Sequence, residues 1–349
     1  MNYNDLSVKL DAVMKKWNFN GCVSICKDTK VVYQGSAGLA DFEVNEPNEL
    51  STRFLIASVT KQFTAVCVMM LVEEEKINLE HTLDCYLPEY TYASKITIRQ
   101  MLNMMSGIPD MINEVIVEEI EQDKMERTEE AQLIFEYQTQ SRCFSLEEVL
   151  KLVNKRELNF EPGALMRYSN TNYSFLGFIV ERLTKQSLGE FISERIFKPL
   201  HMNNSVCNPA MATSVGYARF NEKIVYLGYG KDMSGDGCIV TTVEDLSLWL
   251  NAVLTKNSLL SEQSWNQILT MVPNPDKSCW LENYGFGWDK TGIWYQHNGG
   301  DMGYVTFVFM CIERMITVAI CQNLEALSLD DDAGRVEFEI MQCIEEANL

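Results

Sequence analysis

The sequence predicts an α/β (α+β) fold. Both ends of the chain build one antiparallel sheet, N- and C-terminal helices flank it, and an all-helical lobe is inserted between the two ends. Three observations lead there: β-rich segments cluster near both ends, helical patterns fill the middle, and a helix closes each end to cover sheet faces that need cover. With 349 residues, 46% of them hydrophobic and 22% charged, the chain can bury two cores. The sheet lobe is expected over 1–57 plus about 223–349, the helical lobe over about 58–222, and an active site between them.

Taken in order, Leu6, Leu10, Val13 and Trp17 recur at helical spacing and predict an amphipathic helix over 4–17. GCVSICKDTKVVYQGSAG then places β-rich segments either side of Lys27-Asp28-Thr29-Lys30, a hairpin signal, and RFLIA at 53–57 adds a third strand. From residue 58 the pattern turns helical. Val59, Phe63, Val66 and Met70 share one stripe, and the segment stays apolar nearly all round until Glu73, as a helix in the middle of a protein does. Between Met111 and Cys143 the chain is acid-rich without a strong apolar stripe, which reads as a solvated helix or a lid. Strand-like runs return near Lys223. YVTFVFMCI and MITVAICQN form a hairpin turning at Glu313-Arg314, and a closing helix follows around Val336 to Ile344.

The 29 basic and 49 acidic residues leave a net charge of −20, which repels phosphate backbones and anionic lipid heads. No nucleic acid or membrane partner is expected, only a small-molecule substrate; the oligomeric state is left open. The longest apolar runs, Phe63–Val72 and Tyr304–Ile312, fall short of the roughly 18 residues a membrane span requires. MNYNDLSVKLDAVMKKW lacks the apolar centre of a signal peptide, so a cytoplasmic location is expected, or an exported one if a leader was removed. The 11 cysteines show no C-x-x-C pair and read as reduced core thiols. His81, His201 and His297 have no partners at metal-ligand spacing, so neither a metal nor a cofactor is expected.

For chemistry, the phosphate-loop, dinucleotide-binding and G-x-S-x-G patterns are absent, and S-x-x-K occurs twice, at Ser24/Lys27 and Ser58/Lys61. Residues i and i+3 diverge on a strand but share one side of a helix, so the strand copy at Ser24 is inert. Ser58 opens the buried helix with Lys61 one turn on. Burial disfavours a charged lysine, which would let Lys61 accept the serine proton; a serine N-cap with a snorkelling lysine is the alternative. The second element, Tyr168-Ser169-Asn170, follows a Pro-Gly turn and precedes the apolar helix FLGFIVERL. It fits either an asparagine cap or a phenol and an amide facing one cleft. The third, His297-Asn298-Gly299-Gly300, lies between IWYQ and VTFVFM, with a plain Asn-Gly hairpin turn as its alternative. The literal K-T-G at Lys290-Thr291-Gly292 reads as a turn tip.

In order and spacing, FLIASVTKQFTA, RYSNTNYSFLG and QHNGGDMGY resemble the serine-lysine, Y-x-N and H-x-G boxes of the serine β-lactamases and penicillin-binding proteins. The match is to their class C β-lactamase-like branch, which has carboxylesterase and D-aminopeptidase relatives. ITIRQMLNMMSGIPD, FEPGALMRYSN, FISERIFKPLHMNNS and IVTTVEDLSLWL agree as well, carrying the resemblance from about Asp41 through Asn323. It implies a β-lactamase/DD-peptidase-like fold and a serine hydrolase that forms an acyl-enzyme on an ester, amide or β-lactam carbonyl. The alternatives are a non-catalytic ligand sensor, or a D-alanyl-D-alanine carboxypeptidase or D-aminopeptidase if exported. The resemblance further implies Ser58 as nucleophile, Lys61 and Tyr168 as the proton-transfer pair, and Asn170, His297 and Gly299 as substrate-binding residues. The backbone N–H groups of Ser58 and Gly300 would form the oxyanion hole. Met104 stands where many relatives carry histidine, and His297 where many carry lysine. A mostly neutral imidazole there predicts uncharged acyl groups as better substrates than penicillins, with β-lactam turnover improving toward pH 6.

Overall fold

A computed structural model describes residues 3–231, 234–326 and 336–347. Helix α1 (Tyr3–Lys16) leads into the hairpin β1 (Gly21–Lys27) and β2 (Lys30–Ala37), with Asp28 and Thr29 both at positive φ in its tight turn. A short strand, β3 (Phe54–Leu55), precedes the helix α2 (Thr60–Glu73). Helices α3 (Glu129–Gln140) and α4 (Asn170–Thr184) come next. They are followed by strands β4 (Gly216–Phe220), β5 (Lys223–Gly228) and β6 (Val240–Thr241), and by helix α5 (Val243–Leu254). The last segment holds β7 (Asp289–Thr291), β8 (Trp294–Asp301), β9 (Tyr304–Cys311), β10 (Ile316–Gln322), β11 (Leu324–Ala326) and helix α6 (Val336–Glu346).

Six strands form the main sheet in the order β7-β8-β9-β10-β1-β2, antiparallel throughout, so the two ends of the chain meet where β1 pairs with β10 (Ser24 opposite Ala319). Side-chain alternation divides the core in two. Val23, Ile25, Val318 and Ile320 face α1 and α6, meeting Leu10, Val13, Ile340 and Ile344. Cys22, Ala319 and Cys321 face the other way, into the large cluster that includes α2 and α5. Both faces are therefore covered, which is why β1 and β10 are buried almost without interruption. Helix α2 is enclosed from Thr60 to Leu71, with Phe63 stacked on Trp249 at 3.9 Å and Gln62 accepting from the Trp249 indole. No helix among the described residues is long and apolar enough to cross a membrane.

Four details differ from the sequence reading. RFLIA contributes only Phe54–Leu55 as strand, paired with β6, because the chain turns at Ala57–Val59 into a 3-10 turn. His297-Asn298-Gly299-Gly300 lies inside β8, and the reversal comes at Met302 and Gly303, both at positive φ. The strands around Lys223 join β11, parallel to β4, in a separate three-stranded sheet rather than the main one. The acidic segment forms a π-helical turn over Met111–Ile116, a short helix over Val117–Gln122 and then α3, and residues from both of its ends border a cavity beside Ser58.

Candidate active site

Ser58 sits where the chain leaves β3 and starts the turn into α2. The turn is forced: Ala57 is held at φ 44°, in the left-handed region that side-chain-bearing residues avoid, and Ile56 and Val59 are locked in the core on either side. This leaves Ser58 half-exposed, bordering a cavity of about 280 Å3. One turn on, Lys61 is fully buried. Its Nζ lies 3.0 Å from Ser58 Oγ and reaches two further acceptors, Asn170 Oδ1 at 2.8 Å and the Asp236 carbonyl at 3.0 Å. The other S-x-x-K serine, Ser24, is buried in β1 and accepts from Ser247 on α5, away from this cavity.

Asn170, the first residue of α4, is oriented from behind. Its Nδ2 donates to both oxygens of Asp110, at 3.3 and 3.1 Å, which fixes which end of the amide faces Lys61. Asp110 also caps the Met111–Ile116 turn, accepting from the backbone N–H groups of Ile112 and Asn113 and from the Asn113 amide. Burial pushes its carboxyl above the ordinary range, and these hydrogen bonds pull it back. The sequence reading missed Asp110. The aspartate just ahead of a helical turn was a capping signal, but nothing marked its bond to a residue 60 positions on. Asp236 was also missed, and it left no signal because it contributes a backbone carbonyl that any residue has.

Tyr168 borders the same cavity, its ring half-buried and its hydroxyl buried without a hydrogen-bond partner. Lys61 Nζ lies 5.0 Å from the ring centroid. Burial raises the phenol above its usual value, while the Lys61 charge and the closeness of Lys61 and Ser58 act the other way. Met104, the departure from the family pattern, is fully buried behind this segment, its sulfur 3.4 Å from the Ser169 N–H and 3.5 Å from Asn172 Nδ2.

On the opposite wall, β8 lies directly against the Ser58 turn. A Cβ at Gly299 would fall 2.2 Å from the Ile56 carbonyl oxygen and 2.9 Å from Ser58 N, so only glycine permits this approach. Gly300 then borders the cavity together with Ser58. His297 is brought near but not into it. Its ring is buried, with Nδ1 2.6 Å from the Asn298 carbonyl and Nε2 2.9 Å from Tyr284 Oη. A carbonyl only accepts, so Nδ1 carries the hydrogen and Nε2 is left to accept from the tyrosine. Burial, reinforced by the Lys61 charge, lowers His297 to about 3. The imidazole therefore stays neutral down to pH 5.5, and the expected gain in β-lactam turnover toward pH 6 loses its basis.

Comparison with known proteins identifies the family and the fold. The chain is 25% identical over 346 residues to penicillin-binding protein 4* of Bacillus subtilis, covering 92% of this chain and 71% of that protein. Other curated relatives are longer, and the chain spans 64% of their length. A penicillin-binding protein structure from Bacillus halodurans superposes with a TM-score of 0.76 at 24% identity over 97% of this chain and 99% of that one. D-amino acid amidase from Ochrobactrum anthropi SV3 superposes with a TM-score of 0.79 at 20% identity over 99% of this chain and all of that one (100%), a likeness of fold. The Beta-lactamase family model matches residues 10–340, and the chain belongs to that family.

Proposed function

We propose that the protein is a serine hydrolase that forms an acyl-enzyme through Ser58, in a cleft between a helical lobe carrying Ser58, Lys61 and Asn170 and a sheet lobe carrying Gly299 and Gly300. The observation that carries this reading is the set of partners around Lys61. Asn170 Oδ1 and the Asp236 carbonyl can only accept, so each takes an N–H of Lys61 Nζ, and the remaining position of the nitrogen faces Ser58 Oγ at 3.0 Å: an N–H in the ammonium form, the lone pair once the amine is neutral. Lys61 is thus oriented to take the hydroxyl proton as Ser58 Oγ bonds to a substrate carbonyl carbon.

The backbone N–H groups of Ser58 and Gly300 are the donors proposed for the oxyanion that develops. Tyr168 passes the proton to the leaving amine or alcohol as its bond to carbon breaks, leaving an ester on Ser58. Water then adds to that ester, giving its proton back through the same pair and restoring the serine with release of the acid. Among the described residues no Lys, Arg or His borders the cavity, which supports substrates without a carboxylate beside the scissile bond.

Turnover of p-nitrophenyl acetate, an amino acid amide and nitrocefin by wild type and Ser58→Ala tests the reading. A burst of p-nitrophenol followed by steady release, lost in Ser58→Ala, is expected. Undiminished turnover in Ser58→Ala overturns it, and a permanent Ser58 adduct with no turnover of any substrate overturns the hydrolase in favour of a ligand sensor.

A further inference from the structure

One large aromatic side chain beside the reacting groups is left uncovered. Of the six tryptophans, Trp17, Trp249, Trp265 and Trp288 are buried and Trp294 is half-buried, whereas Trp280 is 73% exposed. Its position sets it apart from a stray surface residue. The centroid of its ring lies 6.1 Å from that of Tyr168, with the rings tilted at 44°. Two buried rings pack on Tyr168 at similar range, Tyr284 edge-on at 6.3 Å and His297 at 6.1 Å. Tyr168 borders the cavity with Ser58, so Trp280 carries this aromatic wall from the cavity outward to solvent.

The exposure is not that of a loose loop. Trp280 lies between two short paired strands, Val272–Pro273 and Asn283–Tyr284. Asn274, fully buried, straps the loop: its Nδ2 donates to the Leu281 carbonyl at 2.7 Å and to the Met166 carbonyl at 3.0 Å, two residues before Tyr168. Its Oδ1 accepts from the Asp276 N–H, and Asp276 accepts from both the N–H and the hydroxyl of Ser278. Leu281 is buried and Cys279 packs against the main core, and Trp280 between them faces solvent. A ligand that covers the indole therefore has little loop ordering to overcome.

Resting on the acyl-enzyme reading, in which Tyr168 protonates the leaving group, we propose that Trp280 is a specificity-determining residue for that group. The preferred substrates are esters and amides whose departing alcohol or amine carries an aromatic ring, and the ring packs on Trp280. The side of the substrate follows from the chemistry. An oxygen or nitrogen that takes its proton from Tyr168 lies beside the Tyr168 hydroxyl, and its substituents run along the same wall. Inward that wall is closed by Lys61, Tyr284 and His297, all buried, so the open direction is toward Trp280. A planar apolar ring gains there by covering the indole and by aromatic contact, and it brings no charge to desolvate.

The test measures kcat/KM, by release of acid, for two pairs of esters with leaving alcohols of similar acidity. Phenethyl acetate against ethyl acetate places the ring on the leaving group, and ethyl hydrocinnamate against ethyl propionate places it on the acyl group. In the wild type the first ratio is expected to be on the order of tenfold, the worth of one aromatic contact with its burial. Trp280→Ala should bring that ratio to within about twofold and Trp280→Phe should keep most of it, while neither variant moves the second ratio. Ratios are the readout because any disturbance of Tyr168 lowers both esters of a pair alike. A first ratio within about twofold in the wild type, or one that survives Trp280→Ala, refutes the tryptophan site. A second ratio that collapses in Trp280→Ala in place of the first refutes its assignment to the leaving group. Ser58→Ala is measured on all four esters: if its turnover is undiminished the acyl-enzyme reading falls with the site, and if it is inactive while the ratios fail, the site falls alone. If wild type hydrolyses none of the four, both fall.

Discussion

Asp110→Asn is a small change with a large expected effect, because Asp110 acts on the reacting serine through two other side chains. In the wild type Asp110 is acceptor-only, so Asn170 must present Nδ2 to it and Oδ1 to Lys61. In Asp110→Asn the amide oxygen stays at the helix cap, where the N–H groups of Ile112 and Asn113 bind Oδ1, and an NH2 group replaces Oδ2. That NH2 faces two donors, Asn113 Nδ2 at 2.8 Å and Asn170 Nδ2 at 3.1 Å. Asn170 relieves the conflict by turning its amide over, which points Nδ2 at Lys61 and removes the 2.8 Å acceptor that orients it. A hydrogen bond of this kind contributes about 1.5–3 kcal/mol, so kcat should fall roughly tenfold to a hundredfold with little change in KM. The buried donor left unpaired costs stability by about 1–3 kcal/mol, read as a lower denaturation midpoint. The assay is steady-state hydrolysis of a p-nitrophenyl ester by wild type, Asp110→Asn, Lys61→Ala and the double variant. Because Asp110 works through Lys61, adding Asp110→Asn to Lys61→Ala should cost nothing more. A kcat within about twofold of wild type, or an equal further loss in the Lys61→Ala background, refutes the reasoning.

Three further outcomes are expected. Lys61→Ala and Tyr168→Phe should each lose nearly as much turnover as the double variant, since groups acting as one proton relay are not additive; losses that multiply in the double variant count against the relay. Gly299→Ala should lower stability by about 1–3 kcal/mol and kcat at least tenfold, because its Cβ meets backbone at 2.2 Å. Gly300→Ala, whose Cβ would come no closer than 3.9 Å to the Tyr304 carbonyl oxygen, the nearest atom beyond its chain neighbours, should unfold at the wild-type midpoint. Glu337 is buried with one carboxylate oxygen unpartnered, and burial pushes it from 4.5 up to about 7. The folded state therefore holds a proton that the unfolded chain releases near pH 4.5, and stability falls as pH rises between the two values. Glu337→Gln should remove on the order of 2 kcal/mol of that fall by pH 8.5, so the difference in denaturation midpoint between pH 5 and 8.5 should shrink.

The sequence was most legible where chemistry and periodicity coincide. Ser58 and Lys61 could be told from Ser24 and Lys27 because three-residue spacing means contact on a helix and divergence on a strand, and the structure puts Lys61 Nζ 3.0 Å from Ser58 Oγ. That the two ends of the chain share one sheet followed from β-rich runs at both ends that each required cover; the structure realises it by pairing β1 with β10. What was not legible depends on long-range partners or on backbone alone. Asp110 is unremarkable until Asn170 lies beside it, and the Asp236 carbonyl carries no side-chain signature. The strain at Ala57 reflects packing of Ile56 and Val59 rather than any property of alanine. Gly299 also fitted a hairpin turn, the alternative reading of its motif, because a glycine required by close approach and one required by positive φ are spelled the same. The apolar contacts of the acidic segment were not legible either: Met111, Ile116 and Ile120 join the main core, but the π-helical turn over Met111–Ile116 takes them off the 3.6-residue period, and Gln140 and Ser141 at its end border the cavity.

The central claim is that Ser58 is the nucleophile, and covalent labelling tests it most directly. Wild type and Ser58→Ala would be exposed to an alkyl fluorophosphonate, weighed intact and mapped by peptide. The placement of Ser58 and Gly300 on one cavity, with Lys61 Nζ beneath Ser58 Oγ, predicts a single adduct per chain on the peptide containing Ser58, and none in Ser58→Ala. An adduct on Ser24, Ser169 or a cysteine, or labelling that persists in Ser58→Ala, would contradict it.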